Sequence, residues 1–359
     1  MTEEPDNRYV VNVLTGFLGS GKTTLLRRLL RSEAFSNCAV LVNEVGEVAL
    51  DHELIEHIDQ ETVVLSSGCI CCGVRSDMAT ALLELNARRD RKEIPAFERV
   101  VIETTGLADP VPVINTVFSD PTLKHHFRLG TVVTTVDAVH GAQQLRSRPE
   151  PRKQAAVADR IVITKVDLVT PSEVQVLAQA LIQLNPHCRI VESRNDASEA
   201  EVAMAADLSG KSRADEVTQW FRADRSGLPF NAGGAGRPAR AGSLFAPEGR
   251  ALAPFHSGVG TVTLIVDEPL DWTAFGVWFS MLLHRHGADI LRVKGILNLR
   301  GVSVPTVVHG VQHLLHPPVH LSAWASNDRR SRLVLIGELP PAAVLERSLL
   351  LFHAMACAG

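Results

Sequence analysis

Short apolar, β-branched runs alternate with helical periodicity through the first half of the chain. Residues 10–14, 39–42, 63–65, 100–102, 131–136 and 161–163 read as buried strands, and 23–30, 76–87 and 172–184 as helices. Strand and helix in regular alternation predict an α/β fold: a mostly parallel sheet flanked on both faces by helices. Between 222 and 250 the pattern breaks into Gly, Pro and Arg with few core residues, the composition of a flexible linker. Order resumes near Gly260 with a strand at 261–266. A helix at 272–283 follows, with Trp272, Phe275, Phe279, Leu282 and Leu283 on one face. Strands at 290–299, 306–311 and 333–336 and a helix at 342–352 complete a smaller α+β domain. The expected division is 1–221, linker 222–255, and 256–359. No internal repeat is visible.

The 359-residue length supports two domains rather than one. A formal net charge of −4 leaves no basic excess to neutralise phosphates, so a nucleic-acid partner is not expected. The acidic opening at 1–6 lacks an apolar core, and no run of about 18 apolar residues occurs, so neither a signal peptide nor a membrane span is expected. Three of the six cysteines crowd into Cys69, Cys71 and Cys72. Without a secretion signal this points to metal or redox chemistry in the cytoplasm rather than to a disulfide framework.

Gly16-Phe17-Leu18-Gly19-Ser20-Gly21-Lys22-Thr23 is a G-x-x-x-x-G-K-T loop, entered from an apolar strand and left through a helical pattern that begins at Thr24. Its glycines let backbone N–H groups converge on phosphates, and the helix N-terminus adds a favourable dipole. Lys22 would reach the β- and γ-phosphates and Thr23 would bind Mg²⁺. Glu103, closing the strand at 100–102, puts a carboxylate beside that ion, and Gly106 can offer its N–H to the γ-phosphate. Thr164-Lys165-Val166-Asp167 matches the N-K-x-D element in which Asp accepts from guanine N1 and N2 while the Lys stem packs on the base. Thr164 stands where Asn is usual, so one polar contact is weaker or rearranged. The three motifs in order point to GTP.

Gly68-Cys69-Ile70-Cys71-Cys72 cannot easily close a tetrahedron alone, because the adjacent side chains of Cys71 and Cys72 diverge. Two or three thiolates plus an outside ligand fit Zn²⁺ or Co²⁺ and leave a site able to give its metal up. Glu47 is the first candidate for the outside ligand; a switch residue facing Mg²⁺ or solvent is the other reading of it. A redox pair or buried thiols is the other reading of the cysteines.

Together with Asn43-Glu44-Val45-Gly46-Glu47, these motifs resemble those of the CobW-type metallochaperone GTPases, relatives of the GTPases that mature urease and hydrogenase. Leu291-Arg292-Val293-Lys294-Gly295, Gly310-Val311-Gln312-His313 and 331–337 resemble that family's C-terminal domain, so the likeness spans most of the chain outside the linker. It implies GTP-dependent loading or delivery of a metal to an unidentified client metalloprotein; a homodimer is compatible with it. Many relatives carry a His-rich stretch that this linker lacks. His309, His313, His316 and His320 sit on strand-like sequence, where period-two spacing would put His309 and His313 on one face. They read as packing and surface residues before they read as a second metal site.

The leading expectation is a GTP-hydrolysing metallochaperone. The runner-up is a P-loop ATPase or kinase with a static structural or redox cysteine site, and the third a nucleotide-gated scaffold. With no evident water-positioning Gln or arginine finger, intrinsic turnover should be slow.

Overall fold

Parallel strands covered on both faces must be apolar throughout, and the first half of the chain meets that demand. The computed structural model describes residues 7–32, 35, 37–42, 63–66, 74–186, 188–193, 258–324 and 326–358. Glu47, Cys69, Cys71, Cys72 and the expected linker at 222–255 lie outside the described residues. The chain divides into two compact units, Met1–Leu177 with Asn185–Arg213, and Ala178–Leu184 with Ala214–Gly359.

The first unit is built on β1 (Tyr9–Gly16), β2 (Cys38–Val42), β3 (Val63–Ser66), β4 (Arg99–Glu103), β5 (Phe127–Asp137), β6 (Arg160–Thr164) and β7 (Arg189–Glu192). They form one sheet in the order β3-β2-β4-β1-β5-β6-β7, parallel at every pairing. The helices are α1 (Lys22–Leu29), α2 (Val74–Asp90), α3 (Val111–Ser119), α4 (Leu123–His126), α5 (Gly141–Ser147), α6 (Pro149–Val157) and α7 (Pro171–Leu184), of which Ala178–Leu184 group with the second unit. Leu25, Leu26 and Leu29 of α1 pack on Leu14, Val40, Val101, Val133 and Val162 from five different strands. The cluster also takes in Cys38, whose thiol is pushed up to about 12 by burial, with the nearby Arg99 guanidinium opposing only in part. At neutral pH Cys38 is therefore a protonated core residue, not a thiolate ligand.

The second unit has β8 (Gly260–Val266), α8 (Trp272–His286), β9 (Ile290–Leu297), β10 (Thr306–Val311), β11 (Leu314–Leu315), β12 (Val319–His320), β13 (Ser331–Gly337) and α9 (Ala342–Ala358). Its sheet runs β11-β10-β9-β13-β8, with β12 on β10, and every strand pair is antiparallel. Burial departs from the face pattern at two places. The buried face of α8 is Phe275, Trp278, Phe279 and Leu282; Trp272 is half-exposed, because it occupies the first helical turn, just after the N-cap Asp271 that accepts from Ala274 N at 2.9 Å. Nor do His309 and His313 share a face. Gln312 takes φ 51° and ends the strand's two-residue period, so His313 lies exposed on the turn while the buried His309 ring stacks on His316 at 3.9 Å between centroids. His320 Nδ1 pairs with Thr306 Oγ1 at 3.0 Å. Among the described residues no group of three or more His, Cys, Asp or Glu could hold a metal ion, and no helix there is long and apolar enough to cross a membrane.

The α8 packing yields a contrast to measure. Trp278 is 3% exposed, stacks on Phe279 and donates Nε1–H to Ser348 Oγ at 2.8 Å. Trp278→Ala should cost about 3–5 kcal/mol, as large-to-small core substitutions of this size do. Trp272→Ala should cost less than about 1 kcal/mol, as an exposed substitution. Urea titration of the full chain, read by hydrogen exchange of β9 amides, measures both; equal costs would contradict the assignment of the buried face.

Candidate functional site

Strand register brings the site together. Leu14 lies opposite Glu103, Gly16 opposite Thr135, and Asp137 opposite Thr164, so β4, β1, β5 and β6 all end at one edge of the sheet. Such carboxyl edges, where crossovers part to opposite faces, are where open parallel sheets bind ligands.

The chain leaves β1 through a residue that must be glycine. Gly16 has φ 145°, and a Cβ there would lie 2.3 Å from Thr135 Oγ1 and 2.5 Å from the Thr135 carbonyl oxygen. The loop then turns back, with Ser20 N–H donating to Phe17 O at 3.1 Å and Ser20 Oγ paired with Thr135 Oγ1 at 2.6 Å. Gly19 stands at the exposed crest of the loop. Gly21 caps α1 with no side-chain hydrogen bond, so no side chain satisfies the first-turn amides and an anion can. Lys22 Nζ donates to the carbonyls of Gly16 (3.0 Å) and Phe17 (3.3 Å), folding back along the loop. Thr24 is exposed on the first turn.

Thr23 and Glu103 meet: Thr23 Oγ1 donates to Glu103 Oε1 at 2.7 Å, and Glu103 is 5% exposed. A hydroxyl and a carboxylate side by side are hard oxygen donors of the kind a magnesium ion takes. Beyond Glu103, Thr104 N–H donates to Leu14 O (3.0 Å) and Thr104 Oγ1 to Thr15 Oγ1 (2.8 Å), tying this segment to β1. Gly106 abuts the phosphate loop so closely that a Cβ would fall 2.6 Å from Leu18 N.

At β6 the threonine departure resolves into a rearranged contact. Thr164 Oγ1 donates to Ser20 O at 2.7 Å and lies 3.3 Å from Val136 O, so its hydroxyl braces the phosphate loop. Lys165 takes φ 56° and pairs Nζ with Asp137 Oδ2 at 2.6 Å. Asp137, buried at the end of β5, is aimed by Val139 N–H donating to its Oδ1 at 2.7 Å. Asp167 is exposed in the 3-10 turn Val166–Leu168. The structure thus gathers Gly16, Gly19, Ser20, Gly21, Lys22, Thr23, Glu103, Gly106, Thr164, Lys165 and Asp167 around one edge. Sequence reasoning missed Asp137, Thr135 and the buried Gln154. A polar residue ending an apolar strand was the available signal for Asp137, and Gln154 carried none.

A family model described as the CobW/HypB/UreG nucleotide-binding domain matches residues 10–192, and one described as the cobalamin synthesis protein cobW C-terminal domain matches residues 259–352. The chain belongs to the CobW family. Among its relatives, the zinc chaperone YjiA of Escherichia coli is 32% identical over 335 residues, covering 93% of this chain and 96% of that protein. The zinc chaperone CobW of Pseudomonas aeruginosa is 30% identical, covering 93% and 89%. The crystal structure of Zn(II)-bound YjiA GTPase from Escherichia coli matches with a TM-score of 0.67 at 27% identity, covering 96% of this chain and 99% of that one. The CobW family's fold, a P-loop domain followed by an α+β domain, is therefore the fold of this chain.

The bracing role of Thr164 is separable from base selection. Thr164→Val removes a buried hydrogen bond to the loop and should weaken binding of any nucleoside diphosphate about tenfold, the lower end of the usual 1–3 kcal/mol for an orphaned partner. It should leave the guanine-to-adenine ratio alone, whereas Asp167→Asn should shift that ratio. Fluorescence titration with both bases measures this; a changed ratio in Thr164→Val would put its hydroxyl on the base instead.

Proposed function

We propose that this chain hydrolyses GTP and uses the nucleotide cycle to take up zinc and pass it to a client metalloprotein. The observation that carries the reading is the meeting of Thr23 with Glu103 at the mouth of the phosphate loop, in line with the Asp137–Lys165 pair on the next strand ends. The relatives matched along nearly their whole length, zinc chaperones and a Zn(II)-bound GTPase, support the cargo.

In this reading the amides of Gly19, Gly21 and Thr24 receive the phosphates, Ser20 N–H leaves Phe17 O to join them, and Lys22 leaves the carbonyls of Gly16 and Phe17 for the β- and γ-phosphates. Thr23 and Glu103 hold Mg²⁺, which when bound offsets the charge of the phosphates. Gly106 turns an N–H to the γ-phosphate. Lys165, its ammonium held by Asp137, lays its stem along the base, and the carboxylate of Asp167 accepts from guanine N1 and N2, a contact adenine cannot return. Thr164 keeps the loop in place beneath them. Cys69, Cys71 and Cys72, with Glu47 as outside ligand, take the cargo; Co²⁺ suits the same soft donors. The thiols need a reducing compartment, hence the cytoplasm. The GTPase domain is 1–221, the linker 222–255 and the CobW-like C-terminal domain 256–359.

The cysteine loop lies in the chain between residues 43–51 and Glu103, so the γ-phosphate can order the ligands when it is present and release them when it leaves. Competitive titration of Zn²⁺ or Co²⁺ with a non-hydrolysable GTP analogue, GDP and no nucleotide tests this. Metal should bind the GTP-analogue form about 5–150-fold tighter, the usual range for linked sites. Ultraviolet thiolate-to-cobalt charge transfer should disappear in Cys71→Ala and Cys72→Ala and persist in Cys188→Ala. Equal metal affinity in all three nucleotide states would reduce the cysteines to a static site and overturn the chaperone reading.

A further inference from the structure

Gln154, on α6, is fully buried, and a buried amide is costly unless hydrogen-bonded. Its Nε2 donates to the carbonyl oxygens of Gly106 (3.2 Å) and Ala108 (3.1 Å), forty-eight and forty-six residues earlier in the chain. Two carbonyl acceptors require the NH₂ end of the side chain at that place. The anchor behind it is firm. Thr134 Oγ1 of β5 donates to the Gln154 carbonyl at 2.8 Å, and Asn185 Nδ2 donates to the carbonyls of Ala155 (2.9 Å), Ala156 (3.2 Å) and Ala158 (2.9 Å) just beyond it. Next door, Lys153 Nζ lies 3.9 Å from Asp109 Oδ2, a second and more exposed tie to the same segment.

A trans peptide points its C=O and N–H in opposite directions. With the Gly106 and Ala108 carbonyls drawn to Gln154, the N–H groups of Leu107 and Asp109 are turned away from α6. One side-chain amide therefore sets how the segment after Glu103 lies beside the phosphate loop, which Gly106 touches through Leu18. The same amide keeps its other half in reserve: Gln154 Oε1 is buried and accepts no hydrogen bond among the described residues. A buried polar atom left over in this way asks for an explanation. A primary amide both donates and accepts, so if the Gly106–Leu107 peptide turns over, Oε1 can take the Leu107 N–H that then faces it.

We propose that Gln154 is a positioning residue, a two-way latch that holds the segment 106–109 by its carbonyls in one nucleotide state and by an N–H in the other, and so sets how strongly the site distinguishes GTP from GDP. This rests on the reading of Gly106 as the γ-phosphate sensor. Gln154→Met keeps the side-chain length and removes both hydrogen-bonding halves. In the full chain it should lower the ratio of GTP-analogue to GDP affinity about tenfold, within the usual range of coupling between sites, while GDP affinity changes by less than about twofold. A parallel fall in both affinities would assign Gln154 to packing alone, and no change in either would leave it without a role; each overturns the proposal. If the variant does not bind GDP at all, hydrogen exchange in the wild type decides. Leu107 amide protection should rise when GTP analogue replaces GDP, and equal protection overturns the latch. A wild type that neither turns over GTP nor prefers it to GDP removes the proposed function and this inference with it. Normal wild-type turnover with an unchanged ratio in Gln154→Met removes this inference only.

Discussion

The register of four parallel strands is the constraint on which the site depends. Leu14 beside Glu103, Gly16 beside Thr135 and Asp137 beside Thr164 bring the phosphate loop, the acid and the T-K-x-D element to one line, although they are scattered from residue 14 to residue 167. A slip of one residue between β1 and β4 would turn the Glu103 carboxylate to the other face of the sheet and away from Thr23. The slip is opposed because it would part the buried Glu103 carboxylate from its partner Thr23 Oγ1, a loss that exchanging one buried apolar neighbour for another cannot offset. Core packing and site geometry are in this sense one requirement.

Around that line the loop is held from several sides. β5 grips it through Thr135 and Ser20, β6 through Thr164 and the Ser20 carbonyl, and Lys22 folds back on its own strand end. A loop fixed in this way has little backbone freedom left to lose when phosphate arrives, which favours binding without adding a contact. The segment after Glu103 is tied differently. Thr104 joins it to β1, but from Gly106 to Asp109, beyond its own local turns, the side-chain links seen among the described residues run to α6, through Gln154 and Lys153. A rigid cradle beside a segment held by a few polar links is the arrangement a nucleotide-dependent switch needs.

Much of this was legible from the chain because it rests on local chemistry. The apolar runs located β1–β6, and the strands extend a residue or more past them at Tyr9, Thr15, Gly16, Ser66 and Glu103, where polar side chains or glycine end the run before the ladder ends. Helix α3 gave no periodic signal because it is buried nearly all round, Val113, Ile114, Asn115 and Thr116 included. Helix α6 was not located from the sequence; it starts on Pro149 and Pro151, residues that would break a helix interior but fit a first turn, where their missing N–H costs nothing. Trp272 followed the right period and was exposed by its place in the first turn, an effect of element length that periodicity does not carry. Within the site, the motifs located residues that the strand ends bring to one edge of the sheet. Asp137 and Gln154 act through partners distant in sequence, and no spacing rule reaches them.

In the proposed metallochaperone cycle nucleotide state and metal occupancy report on each other, and thermodynamic linkage lets the coupling be tested from the nucleotide side. The direct measurement is the affinity of the full-length chain for a non-hydrolysable GTP analogue and for GDP, each with Mg²⁺ present, at zero and at saturating Zn²⁺. Zinc should tighten binding of the GTP analogue by the same factor by which the analogue tightens zinc, and leave GDP affinity nearly unchanged. Zinc that alters neither affinity, or both equally, would contradict the coupling.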